Sequence, residues 1–402
     1  MRMPWSRSVP PMSLARRSID ALLLIGLAGC GARIVPAEGP GPMVDRSDIS
    51  ATVFLIGDAG APRAGGEPVL LALEALLATA PDSTLVLFLG DNVYPRGVPD
   101  PGDPGAPEAE RRLAAQVALS ARAPVVFIPG NHDWDKSGAE GWDRIRRQGR
   151  LIAEQSGGRA RLVPEQGCPG PARLDLGTGL RLLLLDTEWW LHHGEKPGAG
   201  SECPEATQAE VVAALQVELA EGWDRQVIVA AHHPLLSGGP HGGYFGVMDH
   251  LFPLREVNSA LFIPLPVIGS AYPIARSNGA SDQDVSGAAN IQMRAALESA
   301  FVCYPPAIFA AGHEHGLQVL DRGAAPLLAV SGAGIYGHTS PLRGMPETRL
   351  ALSEAGFMRV DLLLDGRLRL SVLTVDRAGM AHQVYATMLP AAGRERVAQC
   401  AG

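Results

Sequence analysis

Lysine is almost missing from this chain: two of 402 residues, Lys136 and Lys196, in a sequence whose formal charge is −8. An acidic, lysine-poor protein is a weak counterion for phosphate backbones, which excludes general nucleic-acid binding. Long apolar runs are missing too. None reaches the roughly 20 residues of a membrane-spanning helix, and the stretch from Ala260 to Tyr272 is broken by Pro264 and Pro266. No internal repeat is visible, which excludes a solenoid. The 47 glycines and 33 prolines are dispersed between apolar segments and form no low-complexity tract. Cysteines number only five and are not spaced as a zinc knuckle. What remains is a globular composition, 46% hydrophobic and 19% charged, with ample material for a core.

The first thirty residues read as an address. Arg16 and Arg17 precede an apolar stretch, Ala21 to Gly29, too short to span a bilayer but the size of a signal-peptide core. It ends in Leu27-Ala28-Gly29-Cys30, which resembles a bacterial lipobox, and Met12 offers a compact alternative start. The expectation is a signal peptide over 1–29 and an exported protein, held on the periplasmic side by a lipid on Cys30. Gly31, where an Asp would argue otherwise, points to the outer membrane. Membrane contact is expected only through that anchor, and oligomeric state stays open. Residues 30–48 read as a Gly/Pro-containing flexible tether. Cys168, Cys203, Cys303 and Cys400 remain, an even count that suits one or two disulfides in an exported chain. Cys168 and Cys203, in the loops GCPGP and SECPE, are the preferred pair.

From residue 49 to 392 the chain alternates short apolar runs with helical patterns. TVFLIG (52–57), TLVLFLG (84–90), PVVFIPG (124–130), LRLLLLD (180–186), QVIVAAH (226–232) and PAIFAAGH (306–313) are apolar at nearly every position. Such runs suit strands buried on both faces. Pro68 opens one helix, and Thr207 with Glu210 makes a capping box for another. Beyond residue 316 the pattern turns to strands, with a hairpin through Asp365-Gly366. One α/β domain of stacked sheets flanked by helices is expected.

The chemistry-bearing residues recur at one topological place, the carboxyl ends of those strands, where open α/β sheets place their ligands. The five loops are Gly57-Asp58-Ala59-Gly60, Gly90-Asp91-Asn92-Val93-Tyr94, Gly130-Asn131-His132-Asp133, His232-His233-Pro234 and Gly312-His313-Glu314-His315. Carboxylates and a phenolate are hard oxygen donors, and imidazoles suit Zn, Mn and Fe. An Asp that bridges two ions about 3.5–4 Å apart is the usual arrangement for phosphate-ester chemistry.

This set resembles the calcineurin-like metallophosphoesterases, and within them the purple acid phosphatases. The family pattern GDxG, GDxxY, GNH(D/E), VxxH and GHxH reads here as GDAG, GDNVY, GNHD, Val229-Ala230-Ala231-His232 and GHEH, in order. The resemblance implies a four-layer fold of two stacked mixed sheets between helices, and hydrolysis of phosphate monoesters by metal-bound hydroxide. It implies a first ion, Fe(III), on Asp58, Asp91, Tyr94 and His315. Asp91 would bridge to Zn(II), Mn(II) or Fe(II) held by Asn131, His232 and His313. His132 would stabilise or protonate the leaving group, Asp133 would orient His132, and His241 would face the phosphate. The substrate is expected to be a small phosphate ester. A phosphodiesterase or pyrophosphatase acting on lipid or nucleotide substrates is the alternative. A metal-holding surface protein without turnover would lack a ligand or His132, and neither is missing.

Other residues read as structural. Asp186 closes a strand without a matching motif, and His233 yields to His232 on spacing. His192, His193, His250, His338 and His382 are expected on the surface or in loops, and Arg144, Arg146, Arg147 and Arg150 on a solvated helix face. Trp134 and Trp142 are expected in the core, with a place at the edge of the pocket as the alternative. Residues 239–300 form a long connection between site-bearing strands, read equally as a lid or as an accessory layer.

Overall fold

A strand that is apolar at every position needs two apolar faces, and the fold provides both. The computed structural model describes residues 33–35, 39–256 and 261–393. The expected signal segment, Cys30 and Cys400 lie outside them. The strands are β1 (Ile49–Ile56), β2 (Thr84–Leu89), β3 (Val125–Ile128), β4 (Ala160–Leu162), β5 (Ala172–Leu176), β6 (Leu180–Leu184) and β7 (Gln226–Ala230). There follow β8 (Ile308–Ala311), β9 (Leu317–Leu320), β10 (Leu327–Ser331), β11 (Thr348–Leu352), β12 (Gly356–Leu363), β13 (Leu368–Val375) and β14 (Ala381–Leu389). They form two seven-stranded sheets, ordered β14-β13-β12-β1-β2-β3-β4 and β11-β9-β10-β8-β7-β6-β5. Each sheet has a parallel run, β1 to β4 in one and β6-β7-β8-β10 in the other, extended by antiparallel strands.

Two apolar clusters show how the layers stack. The first, with Val53, Leu55, Leu87, Ile228, Ile308 and Val360, contains no helical residue and lies between the sheets. The second takes the alternate residues of the same strands, Phe54, Ile56 and Phe88 among them, and joins them to helical Leu73, Leu113, Leu215 and Leu297. The period of two along each strand thus sends one side chain to the other sheet and the next to a helix. The result is helix, sheet, sheet, helix, the four-layer arrangement expected.

Local signals hold where they are local. Pro68 starts the helix Pro68–Leu77. Thr207 Oγ1 accepts from the Glu210 N–H at 3.3 Å while Glu210 accepts from the Thr207 N–H at 2.9 Å. Cys168 and Cys203 are bonded, with Cα atoms 5.5 Å apart. The stretch read as a tether is bound to the fold where it is described. Ile34 bridges Ala351 of β11, and the Pro40 and Pro42 carbonyls accept from Gln383 and Arg369.

Three expectations need correction. His192 is buried, at 1% exposure, and its ring packs on Trp134. It follows the helix turn Glu188–Leu191 and lies against Gly141, the first residue of the helix Gly141–Ser156, a contact between segments far apart in sequence. Arg144 and Arg147 are not simply solvated: they turn back to Asp135 and Asp100 and bond the carbonyls of Arg96 and Val98. Residues 239–300 are not one unit. The helix Ala288–Ala300 puts Met293 and Leu297 into the core, so it is an accessory layer. Residues 243–256 and 261–277 make a separate lobe, which buries only Gly269 and Pro273 between residues 261 and 277.

Candidate metal centre

All five motif loops leave strands at the same edge, β1, β2 and β3 from one sheet and β7 and β8 from the other. To turn sharply there, Asp58, Asp91 and His313 adopt left-handed backbones, with φ of 58°, 55° and 66°. Each costs about 1–2 kcal/mol for a residue with a side chain, a strain typical of functional sites. Glycines allow the close approach. A Cβ on Gly90 would stand 2.4 Å from His232 Nδ1, and one on Gly130 would stand 2.4 Å from Asp91 Oδ1.

The donor atoms converge in two groups. In the first, Tyr94 Oη lies 3.1 Å from Asp58 Oδ1 and 3.2 Å from His315 Nε2, which is 3.4 Å from Asp58 Oδ1. In the second, His232 Nε2 lies 3.1 Å from Asn131 Oδ1, 3.2 Å from His313 Nδ1 and 3.4 Å from Asp91 Oδ1. Asp58, Asp91 and His232 have ligand atoms within 4.8 Å of one another, so Asp91 stands between the groups. Ligands that each sit about 2.0–2.2 Å from one ion are themselves about 3.0–3.4 Å apart. Both groups fit a cation.

Tautomers agree. His232 Nδ1 faces the Leu89 carbonyl at 2.8 Å, and His313 Nε2 faces the Gln283 carbonyl at 2.8 Å. A carbonyl only accepts, so each of those nitrogens carries the proton and the other ring nitrogen offers a lone pair to the site. His233 is different. Its Nε2 faces Gln283 Oε1 at 2.8 Å and its Nδ1 faces Thr187 Oγ1 at 2.9 Å. Although it falls within 4.8 Å of His232 and His313, no lone pair of it is aimed inward.

The electrostatics point the same way. Burial, with repulsion from Asp91, raises Asp58 to about 8 against the pull of His232. Tyr94 is pushed well above its ordinary value by burial and by both carboxylates. Burial, reinforced by His241 and His233, holds His313 well below its own. Without cations burial disfavours the charged forms of Asp58 and Tyr94, whereas His132 and His232, against burial, hold Asp91 below its ordinary value; bound cations would favour all three anions.

Around this centre His132 takes a set position. Its Nδ1 bonds the Pro95 carbonyl at 2.7 Å, its ring meets Tyr94 edge-on, and its Nε2 lies 3.8 Å from Asp91 Oδ2. Asp133 was expected to orient that ring; it does not. Its carboxylate is buried and accepts from the N–H groups of Gly130, Asn92 and Val93 and from Asn92 Nδ2, so it fastens the second motif loop to the third. The orienting partner is the Pro95 carbonyl, supplied by a loop that sequence proximity does not reveal. His241 stands over the second group, its ring 3.9 Å from His313 and its Nδ1 3.0 Å from Asp284 Oδ1. Asp186 accepts from Trp134 Nε1 and the Trp189 N–H, which is the structural role expected.

Three further residues belong to the site. His338, expected on the surface or in a loop, is exposed in a loop and packs its ring 4.4 Å from His315 and 5.9 Å from Tyr94. Gln283 joins His313, His233 and Glu188 through its carbonyl and its side-chain amide. Glu314, inside GHEH, accepts from Ser237 Oγ and the His241 N–H. Only Glu314 had a sequence signal, its place in a motif.

A sequence profile of calcineurin-like phosphoesterases matches residues 51–259, more than half of the chain. The chain belongs to the calcineurin-like phosphoesterase family. This family hydrolyses phosphoester bonds at dinuclear metal sites, in keeping with the two donor groups above. No curated protein matches the sequence. Among solved structures, GAP50, the anchor in the inner membrane complex of Plasmodium, is similar at 14% identity and a TM-score of 0.49, covering 86% of this chain and 90% of that one. A purple acid phosphatase from yellow lupin seeds (Lupinus luteus) is similar at 15% identity and a TM-score of 0.48, covering 84% and 53%. PhoD is similar at 13% identity and a TM-score of 0.47, covering 89% and 74%.

Proposed function

We propose that this calcineurin-like phosphoesterase is a binuclear hydrolase of phosphate monoesters, exported and held at a bacterial membrane by a lipid on Cys30. The observation that carries the catalytic part is the pair of donor groups meeting at Asp91. Asp58, Tyr94 and His315 would hold one cation, and Asn131, His232 and His313 the other, with Asp91 shared. Tyr94 suits Fe(III) as a phenolate, and the second group suits Zn(II), Mn(II) or Fe(II). Bound there, the two ions supply Lewis acidity and lower the pKa of a coordinated water. The side chains do the rest. His132, fixed through Nδ1–H on the Pro95 carbonyl, keeps Nε2 beside Asp91 Oδ2; as the imidazolium it would give the Nε2 proton to the departing alkoxide oxygen and return to the neutral ring. His241, braced by Asp284, contacts phosphate oxygens from the opposite group.

Turnover of an aryl phosphate monoester and of its bis-aryl diester, before and after strong chelation, tests this reading. Chelator-sensitive preference for the monoester is expected; preference for the diester would replace it with a phosphodiesterase. Tyr94→Phe tests the iron assignment separately. The variant should keep the fold and lose a visible phenolate-to-iron absorption band. Iron-loaded wild type without such a band would sink the assignment.

A further inference from the structure

We infer that the lobe formed by residues 243–256 and 261–277 is a membrane-docking element, which inserts its tip, residues 261–275, into the interface of a lipid bilayer. The lobe has its own framework. The helices Val247–Leu251 and Ala271–Ser277 are joined by a Leu265 N–H to Leu251 carbonyl bond of 2.8 Å and by His250 Nδ1 on Ser270 Oγ. Its outer surface exposes Val247, Met248, Ile263, Val267, Ile268 and Ile274. Isolated exposed apolar residues need no explanation, but a cluster of this kind marks an interaction surface.

The tip itself is costly in two ways. Val267 is 87% exposed and Ile268 is 75% exposed. Val267 also has φ 70° and ψ −59°, and the Ile268 N–H bonds the Pro266 carbonyl at 2.9 Å, which is the strained γ-turn. A β-branched residue has no steric reason to be there, and a solvated turn would take glycine. The strain presents an apolar edge outward.

The chemistry of the lobe selects lipid over protein. Residues 261 to 275 contain no charged side chain, and the lobe's charged residues, Asp249, Arg255, Glu256 and Arg276, all fall outside that stretch, so the tip offers a protein partner no ion pair. Behind it, the Arg276 guanidinium lies over the rings of Tyr272 and Phe245 and pairs with Asp284. Apolar tip, then aromatic ring, then neutralised cation is the order in which residues suit a membrane interface. Because Arg276 is already paired, docking draws on apolar burial and does not need anionic lipid.

The root of the lobe lies near the first described residues of the chain. Arg343 N–H bonds the Gly238 carbonyl at 2.8 Å, and a Cβ on Gly246 would meet Pro341 at 3.8 Å, so the loop 341–344 adjoins the root of the lobe. On its other side, Gly344 comes so close to Ile34 that a Cβ would clash with Cδ1. Cys30 is three residues before the described Arg33, within a reach of about 10 Å. This last support rests on the lipid anchor proposed above, and the test omits that anchor so that the two readings fail separately.

The chain from Gly31, which keeps every described residue, is mixed with phosphatidylcholine vesicles and floated on a density gradient. Wild type should float without anionic lipid and with little effect of salt. Val267→Ser/Ile268→Ser should lower the bound fraction about tenfold or more, with unchanged melting temperature and unchanged turnover of a soluble aryl phosphate. Failure of wild type to float, or equal flotation of the double variant, overturns the inference. So does a concentration-dependent dimer that the double variant abolishes while no flotation is seen, which would make a second copy the occupant. Vesicle binding needs no turnover, so an inactive but floating protein would refute the phosphatase reading alone.

Discussion

Asp91→Asn is expected to empty both cation sites and to lower turnover about a thousandfold or more. Asp91 stands between the two donor groups, 3.4 Å from His232 Nε2 and in one cluster with Asp58. The amide keeps the shape of the carboxylate and can still accept the His132 N–H that Asp91 Oδ1 accepts at 2.9 Å. What it removes is the charge that a bridging ligand must carry. Metal content by mass spectrometry should fall from two ions per chain to well below one. A variant that kept both ions and its turnover would overturn the shared-ligand reading. Unfolding is separable from this loss. Comparing the melting of the chelated variant with that of chelated wild type separates the two. Against the effect of burial, His132 and His232 hold the Asp91 carboxyl below its ordinary value, so its charge favours the fold and the chelated variant should melt somewhat lower while still unfolding cooperatively.

His132→Ala is expected to leave both ions bound and to slow an alkyl phosphate by about 10²–10⁴-fold, the usual weight of a positioned general acid. Nitrophenyl phosphate, whose leaving oxygen needs no proton, should lose far less. That difference is the informative readout, because a role confined to packing would slow both substrates alike. The geometry behind it is the Nδ1 bond to Pro95, which leaves Nε2 as the ring nitrogen next to Asp91. Equal losses on both esters would assign His132 to phosphate binding instead. Asp133→Asn serves as a control: it should reduce stability by loosening the junction of two motif loops, since its carboxylate accepts their N–H groups and does not touch His132.

Much of the centre was legible because its information is local. A strand that ends in Gly-Asp or Gly-Asn-His delivers those side chains to the strand's carboxyl end whatever the rest of the chain does. Five such endings therefore named Asp58, Asp91, Tyr94, Asn131, His132, His232, His313 and His315 without coordinates. The strands themselves were legible for a related reason, since burial on both faces leaves nearly continuous apolar runs. The capping box at Thr207 and the hairpin at Gly366 are likewise settled within a few residues.

What tertiary structure decided were the partners across long separations. His132 could have bonded Asp133 next to it, yet its Nδ1 is taken by the Pro95 carbonyl and Asp133 is consumed by backbone donors. His192 and His338 look alike in sequence, but one lies against Gly141 and the other is laid against His315. Gln283 reaches His313 and Glu188 only because the connection after the lobe returns over the site. Sequence by itself determined which residue types leave each strand, because spacing and side-chain period act over a few residues. Which hydrogen bonds those side chains complete, and which faces stay exposed, was decided by packing between segments that are distant along the chain.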